Sequence, residues 1–358
     1  MSVHEMLIAI MAVFAALGGL DRIFGSRFGL GQKFEEGILA MGSMGLAMIG
    51  IISLSPVLAG LLRPVVLPVY AFLGADPAMF AGTLLASDMG GGPLARELTA
   101  DPQAAALGGV ITGSMMGATL VFTIPVAMGI VDAEDRPALA KGILAGIVTI
   151  PLGILVGGLV AGFPALMVAR NLIPIVLIAA LIAVGLWKAE KAMVRGFEIF
   201  GKGVVAVITV GLVAVIVEAL TGFVVIEGLA PIEEGFTTVG NIAIVLAGAF
   251  PLVYVLTRLL RKPLLKLGNT LGVNDVAAAG LVATLANSIA TFSLVKDMDP
   301  RGKVVNMAFA VSAAFVFGDH LGFTAGFAPE MLPAVIVGKL AGGAAAVAVA
   351  LLLTRKEA

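Results

Sequence analysis

Three short stretches of this chain put polar or ionisable groups inside apolar sequence. LLASDMGGGPL (Leu84 to Leu94) carries Ser87 and Asp88 directly before Gly90, Gly91, Gly92 and Pro93. FGDHLGF (Phe317 to Phe323) sets Asp319 and His320 between glycines, and TLANS (Thr284 to Ser288) offers Thr284, Asn287 and Ser288. A carboxylate at the centre of a membrane-spanning helix costs on the order of 3 kcal/mol, so such acids face a cavity or a partner. The glycines after Asp88 permit a tight turn with bare backbone groups, which lipid forbids and a solvated cavity allows. Asp88 and Asp319 have no basic residue nearby in sequence, which favours a small cationic solute, or a neutral solute moved together with a cation. An ammonium would pair with the carboxylates, while Asn287 and Ser288 would hold a hydroxyl. In this reading His320 orients Asp319 or relays a proton. Thr119, Thr284 and Glu218 are secondary candidates, and Lys339 is expected to snorkel or pair.

The elements that must position these groups are membrane spans. The chain has 358 residues, of which 60% are hydrophobic and 13% charged, and its mean hydropathy is +1.11. A soluble domain is nearer half apolar and a quarter charged. Several apolar runs reach the roughly 20 residues that cross a bilayer as a helix, and no alternating pattern suggests a barrel. Spans are expected at 6–22, 37–60, 104–131, 138–162, 166–187, 203–226, 237–257, 303–327 and 332–353, the first read as a retained span and not a cleaved signal. Tyr70 and Trp187 fit interfacial anchors. Gly113 with Gly117, and Gly338 with Gly342, form small-residue faces for helix packing. With no cysteine, thiolate metal sites and thiol nucleophiles are excluded. No phosphate loop, dinucleotide fingerprint or zinc-protease motif appears. No cofactor, no metal site and no nucleic-acid partner is therefore expected. An intramembrane enzyme built on Asp319 and His320 is a remote alternative.

The sequence also repeats itself. Phe34-Glu35-Glu36-Gly37 is answered by Ile232-Glu233-Glu234-Gly235, an offset of 198 residues. The same offset relates Leu61-Leu62-Arg63 to Leu259-Leu260-Arg261, Leu73-Gly74 to Leu271-Gly272, and Asp101-Pro102 to Asp299-Pro300. Two interrupted apolar stretches, 76–96 and 275–295, occupy matching places in the two copies. If both are re-entrant hairpins, Lys33, Arg136, Lys141, Lys191, Lys262, Lys303, Arg355, Lys356 and most other basic residues fall on one side. Only Arg63, Arg96 and Arg170 are then left opposite. Cytoplasmic loops carry the basic excess, so the hairpin arrangement is preferred, with the N-terminus outside and the C-terminus in the cytoplasm.

The expected fold is thus an all-α polytopic membrane protein with about nine transmembrane helices plus two re-entrant hairpins. Residues 1–162 form the first repeat, 163–200 a linker span and cytoplasmic loop, and 201–358 a second, inverted repeat. Inverted repeats whose broken helices converge at the midplane are the architecture of alternating-access secondary transporters.

The chain resembles the EutH ethanolamine permeases over nearly its whole length. The resemblance rests on KFEEGILAMG, LLASDMGG, GSMMGATLVFTIPVAMGI, GILAGIVTIPLG, VATLANS, KDMDPRGKVVN, FAVSAAFVFGDHLGF and VGKLAGG. Ser87 stands where the family pattern often has a cysteine, and Asn287-Ser288-Ile289-Ala290 replaces an Asn-Asn-Ile-Pro. The resemblance implies uptake of ethanolamine, a small cationic amino alcohol when protonated, across a bacterial cytoplasmic membrane. It also implies a functional link to a cytosolic ethanolamine ammonia-lyase. It brings no binding residues with it; the set Ser87, Asp88, Gly90, Asn287, Ser288, Asp319 and His320 comes from the sequence alone. Transport of another small amine, or of a neutral solute coupled to Na⁺ or H⁺, is the alternative, and a homo-oligomer is left open.

Overall fold

A computed structural model describes residues 2–355 apart from the side chains of residues 260–262, 264, 265, 267 and 269; Lys356 and the side chains of Arg261 and Lys262 thus lie outside the described residues. Among the described residues every regular element is helical. Its elements are α1 (Val3–Ile23), α2 (Leu30–Leu73), α3 (Ala78–Leu84), α4 (Gly91–Leu98), α5 (Pro102–Ala105), α6 (Ile124–Ile130), α7 (Arg136–Ile147) and α8 (Ile150–Val160). There follow α9 (Ala165–Thr221), α10 (Ile232–Leu271), α11 (Asp275–Ala286), α12 (Ser288–Leu294), α13 (Pro300–Ala313), α14 (Asp319–Phe327) and α15 (Leu332–Leu353). A wide π-helical stretch, Ala106–Gly117 and then Thr119–Thr123, joins α5 to α6 into one rod. Among the described residues, seven helices are long and apolar enough to cross a membrane. Large apolar side chains such as Leu39, Leu61, Phe72 and Leu181 stand exposed on the outer surface. So wide an apolar exterior is what a bilayer covers. The chain is a multi-pass membrane protein.

Matching sequence positions adopt matching local structure. α2 and α10 both end on a leucine followed by glycine in the left-handed region, Gly74 and Gly272, each with φ of 68°. Asp101 and Asp299 both cap a helix that begins with proline: Asp101 accepts from the Gln103 and Ala104 N–H groups and Asp299 from that of Gly302. Carboxylates at this position satisfy N–H groups that a helix start leaves open, and proline at the first position has no N–H to lose. The two halves interlock, because α2 packs along α10, α7 against α13 and α8 against α15. Gly338 lies against Gly153 and Gly157, and Gly342 against Gly153, as the small-residue faces require.

Two expectations fail. The segment 188–200, expected as a cytoplasmic loop after the linker span, continues as helix, with a single break at Ala189 (φ −144°, ψ 46°) that divides α9. Lys, Glu, Ala, Met and Arg dominate there, polar in part yet good helix formers. Tyr70 is not an interfacial anchor, being buried with its ring edge-on to Phe80 at 6.3 Å. Trp187, by contrast, is 76% exposed.

Candidate functional site

Asp88 sits on a single turn (Ser87–Met89) between the two arms of a short hairpin, α3 and α4. Leu85 and Ala86 are extended, and Ala86 O accepts from the N–H groups of both Met89 and Gly91. Gly90 then takes φ of 108°, and a β-carbon there would collide with Ile51. Only glycine enters that region without strain. The π-helical rod supports this tip closely, since β-carbons at Gly113 and Gly117 would meet Ser87 and Leu85 backbone.

In the second half α11 and α12 form the corresponding hairpin. Its arms are tied by the buried Thr284 and Thr291 hydroxyls, 2.8 Å apart, with Thr291 donating to Gly280 O at 2.9 Å. Beside it the 300–327 segment breaks: residues 314–318 leave the helix, and Phe315 N–H and Phe317 N–H donate to Thr284 O and Leu285 O. Phe315 has φ of 61°, an uncommon conformation for a side chain of that size. The helix resumes with Asp319 and His320 as its first residues.

The tip and the break meet. His320 Nε2 lies 3.9 Å from Asp88 Oδ1, and these two residues, Asp319, Met89, Phe122 and Phe315 line a cavity of about 40 Å³. Phe122 and Phe315 are edge-to-face at 5.3 Å. Asp88 Oδ1 is buried with no hydrogen-bond partner among the described residues. An unpaired buried carboxylate oxygen is costly, and two acids sharing a cavity with two aromatic rings suit a cation. The volume equals about three water-sized probes, room for a few heavy atoms.

The chain matches the family described as "Ethanolamine utilisation protein, EutH" over residues 3–353. The chain belongs to the EutH family. It is 60% identical to the "Probable ethanolamine permease EutH" of Listeria monocytogenes, over 99% of this chain and 95% of that protein. It is 48% identical to the protein of the same name from Escherichia coli, over 100% of this chain and 97% of that one. An uncharacterized Bacillus subtilis protein, YxeR, is 51% identical over 99% and 96% of the two chains. No solved structure matches it. The family is one of membrane permeases, not of enzymes.

Two further spaces flank the acid cavity of this EutH-family chain. Asp319 also borders a vestibule of about 370 Å³, lined by Lys33 and Glu36 at the start of α2, Tyr254 and Thr257 on α10, and Asn287. At the other end of α14 a hollow of about 290 Å³ is lined by Arg96, Asp101, Phe327 and Glu330. Along α14 between that hollow and Asp319 lies a plug. Arg96 stacks 3.6 Å over the Phe327 ring and donates to Phe327 O at 2.8 Å, while Phe323 and Phe327 stack at 4.8 Å.

Of the residues singled out from sequence, Asp88, Asp319 and His320 converge, with Gly90 shaping the turn. Asn287 faces the vestibule instead, where its side chain also accepts from Ile289 N–H to cap α12. The Ser87 and Ser288 hydroxyls are buried without hydrogen-bond partners among the described residues. Thr284 is occupied by Thr291, and Thr119 donates to the Met115 and Val311 carbonyls, tying the two halves. Glu218, far along α9, lines none of these cavities. His320 turns toward Asp88 and Lys339; a bond to Asp319 is not among those found in the described residues. Lys339 does not snorkel, being only 1% exposed.

Proposed function

We propose that this chain is a permease that carries protonated ethanolamine across the bacterial cytoplasmic membrane by alternating access. The observation that carries this reading is the unpaired Asp88 oxygen facing, with Asp319, Phe122 and Phe315, a cavity of about 40 Å³. Ethanolamine has four heavy atoms, an ammonium for the carboxylates and aromatic faces, and a hydroxyl small enough to share the space. The names of the relatives support the substrate, and the acid pair supports its protonated form, the one that lipid excludes.

The nine-crossing arrangement with two hairpins goes with this reading. The break at Ala189 divides α9 into two spans and residues 314–318 divide a third, and the second repeat then enters inverted. With the N-terminus outside and the C-terminus inside, the Lys33–Asn287 vestibule faces the cytoplasm and the Arg96–Phe327 plug faces outward. Asp319, bordering both the small cavity and the vestibule, is the last group the solute leaves on its way in. Opening of the plug with narrowing of the vestibule would give the opposite state, the hairpins moving against the long helices.

Uptake of labelled ethanolamine into proteoliposomes holding the purified protein tests the proposal. Saturable uptake blocked by unlabelled ethanolamine, and poorly by choline, amino acids or nucleosides, is expected. Absence of saturable uptake, or equal block by neutral solutes, would overturn it.

A further inference from the structure

Lys339 is a buried lysine in the first half of α15, and nothing in the transport scheme above uses it. Its Nζ stands 2.5 Å from Ser114 O, on the π-helical rod, and 3.0 Å from His320 Nδ1. An ammonium has three donors and no acceptor. With the lysine protonated, its contact with Nδ1 needs that nitrogen unprotonated, which makes the imidazole neutral and puts its single N–H on Nε2, the atom 3.9 Å from Asp88 Oδ1. That gap is too long for a direct hydrogen bond, and the carboxylate oxygen stays free for a ligand. The titratable groups at the small cavity are then Asp88 of the first hairpin and Asp319 and His320 of α14, with Lys339 of α15 behind His320. Lys33 and Glu36, which form an ion pair of their own, line the vestibule on the far side of Asp319. With both acids ionised, the lysine protonated and the imidazole neutral, the cluster carries one unit of negative charge.

We propose that Lys339 is a built-in counter-cation which, by offsetting one of the two carboxylates and fixing the His320 tautomer, restricts the site to a single monoammonium solute and rejects diammonium solutes. It is a positioning and specificity residue that does not touch the substrate, and the inference rests on the amine-transport reading given above. A buried charge is tolerable when paired and costly when left alone. A monocation brings the cluster to neutrality, whereas a dication would leave it with an excess positive charge beside Lys339. Replacing Lys339 by a neutral residue doubles the negative charge and inverts that preference.

The test compares two inhibitors of the same length, 3-aminopropan-1-ol and 1,3-diaminopropane, which differ only in carrying one ammonium or two at neutral pH. Their inhibition of labelled ethanolamine uptake is measured in proteoliposomes for the wild type, Lys339→Met, Asp88→Asn and the double variant. The ratio of the two inhibition constants should favour the monoamine in the wild type and shift at least tenfold toward the diamine in Lys339→Met. Asp88→Asn, with its acid offset removed, should lose uptake, and adding Lys339→Met should restore it severalfold, since one net negative charge returns. This second comparison decides the matter even if Lys339→Met alone does not fold. An unchanged inhibitor ratio in a folded Lys339→Met, or a double variant no better than Asp88→Asn, would overturn the proposal. If neither amine inhibits the wild type, it is the amine-transport reading that fails.

Discussion

His320 Nε2 lies 3.9 Å from Asp88 Oδ1, joining the tip of a hairpin in the first half of the chain to a broken helix in the second. Neither group is in reach of the other along the sequence. Their meeting depends on the glycines that let hairpin and rod touch backbone to backbone, and on the unwinding at residues 314–318 that points the start of α14 at the same spot.

The aromatic wall should contribute to affinity for a cation. Phe122→Leu keeps the cavity apolar and removes one π-face; at about 0.5–2 kcal/mol for such a contact, the concentration for half-maximal ethanolamine uptake should rise roughly twofold to thirtyfold. Maximal rate should change less. An unaltered half-saturation concentration would show that the ring does not face the ammonium.

Close backbone contact makes a second prediction about stability. A β-carbon at Gly117 would run into Leu85 backbone, whereas one at Gly203 meets nothing within 4 Å. Gly117→Ala should cost roughly 1–3 kcal/mol and lower the unfolding midpoint in detergent. Gly203→Ala, inside α9, should raise it slightly, by about 0.5–1 kcal/mol in helix propensity. Equal effects at both positions would contradict the packing described.

The plug at Arg96 is testable by chemical access, which is simple in a chain without cysteine. Met89 lines the acid cavity, so a single cysteine at Met89 should react slowly with an impermeant thiol reagent added outside. Adding Arg96→Ala removes the stack on Phe327 and the bond to its carbonyl, and the reaction should quicken severalfold. No change would mean the seal lies elsewhere.

Sidedness follows from single cysteines at two exposed residues. A cysteine at Gln103 should label only from outside and one at Lys296 only from the cytoplasm. Labelling of both from one face would undo the inverted arrangement and with it the assignment of vestibule and plug.

Much of this site was legible in the sequence because the signals were violations: acids in apolar runs, a glycine triplet and a proline where a span should continue. Such misfits stand out without any knowledge of neighbours. The rest required the tertiary structure. Phe122 and Phe315 look like any apolar residue in a span, and their role comes from a backbone break that no residue type announces, Phe315 itself being at positive φ. Lys339 was visible as an anomaly, but its partners, His320 and Ser114, belong to other elements. Asn287 and Ser288 stand out in the sequence as polar groups, yet the turn between α11 and α12 sets Asn287 at the vestibule and not at the acid cavity. Asp21 shows the converse case. It is a buried acid whose oxygens accept from the Phe28 and Gly31 N–H groups, and so serves the loop before α2.

The most direct test of the central claim, that Asp88 and Asp319 hold the ammonium, is ethanolamine uptake by Asp88→Asn and Asp319→Asn in proteoliposomes, after each is shown to be monodisperse in detergent. Charge-assisted bonds of about 1.5–3 kcal/mol make the expected loss of uptake efficiency roughly tenfold to a hundredfold for each variant. Wild-type uptake by both would contradict the claim.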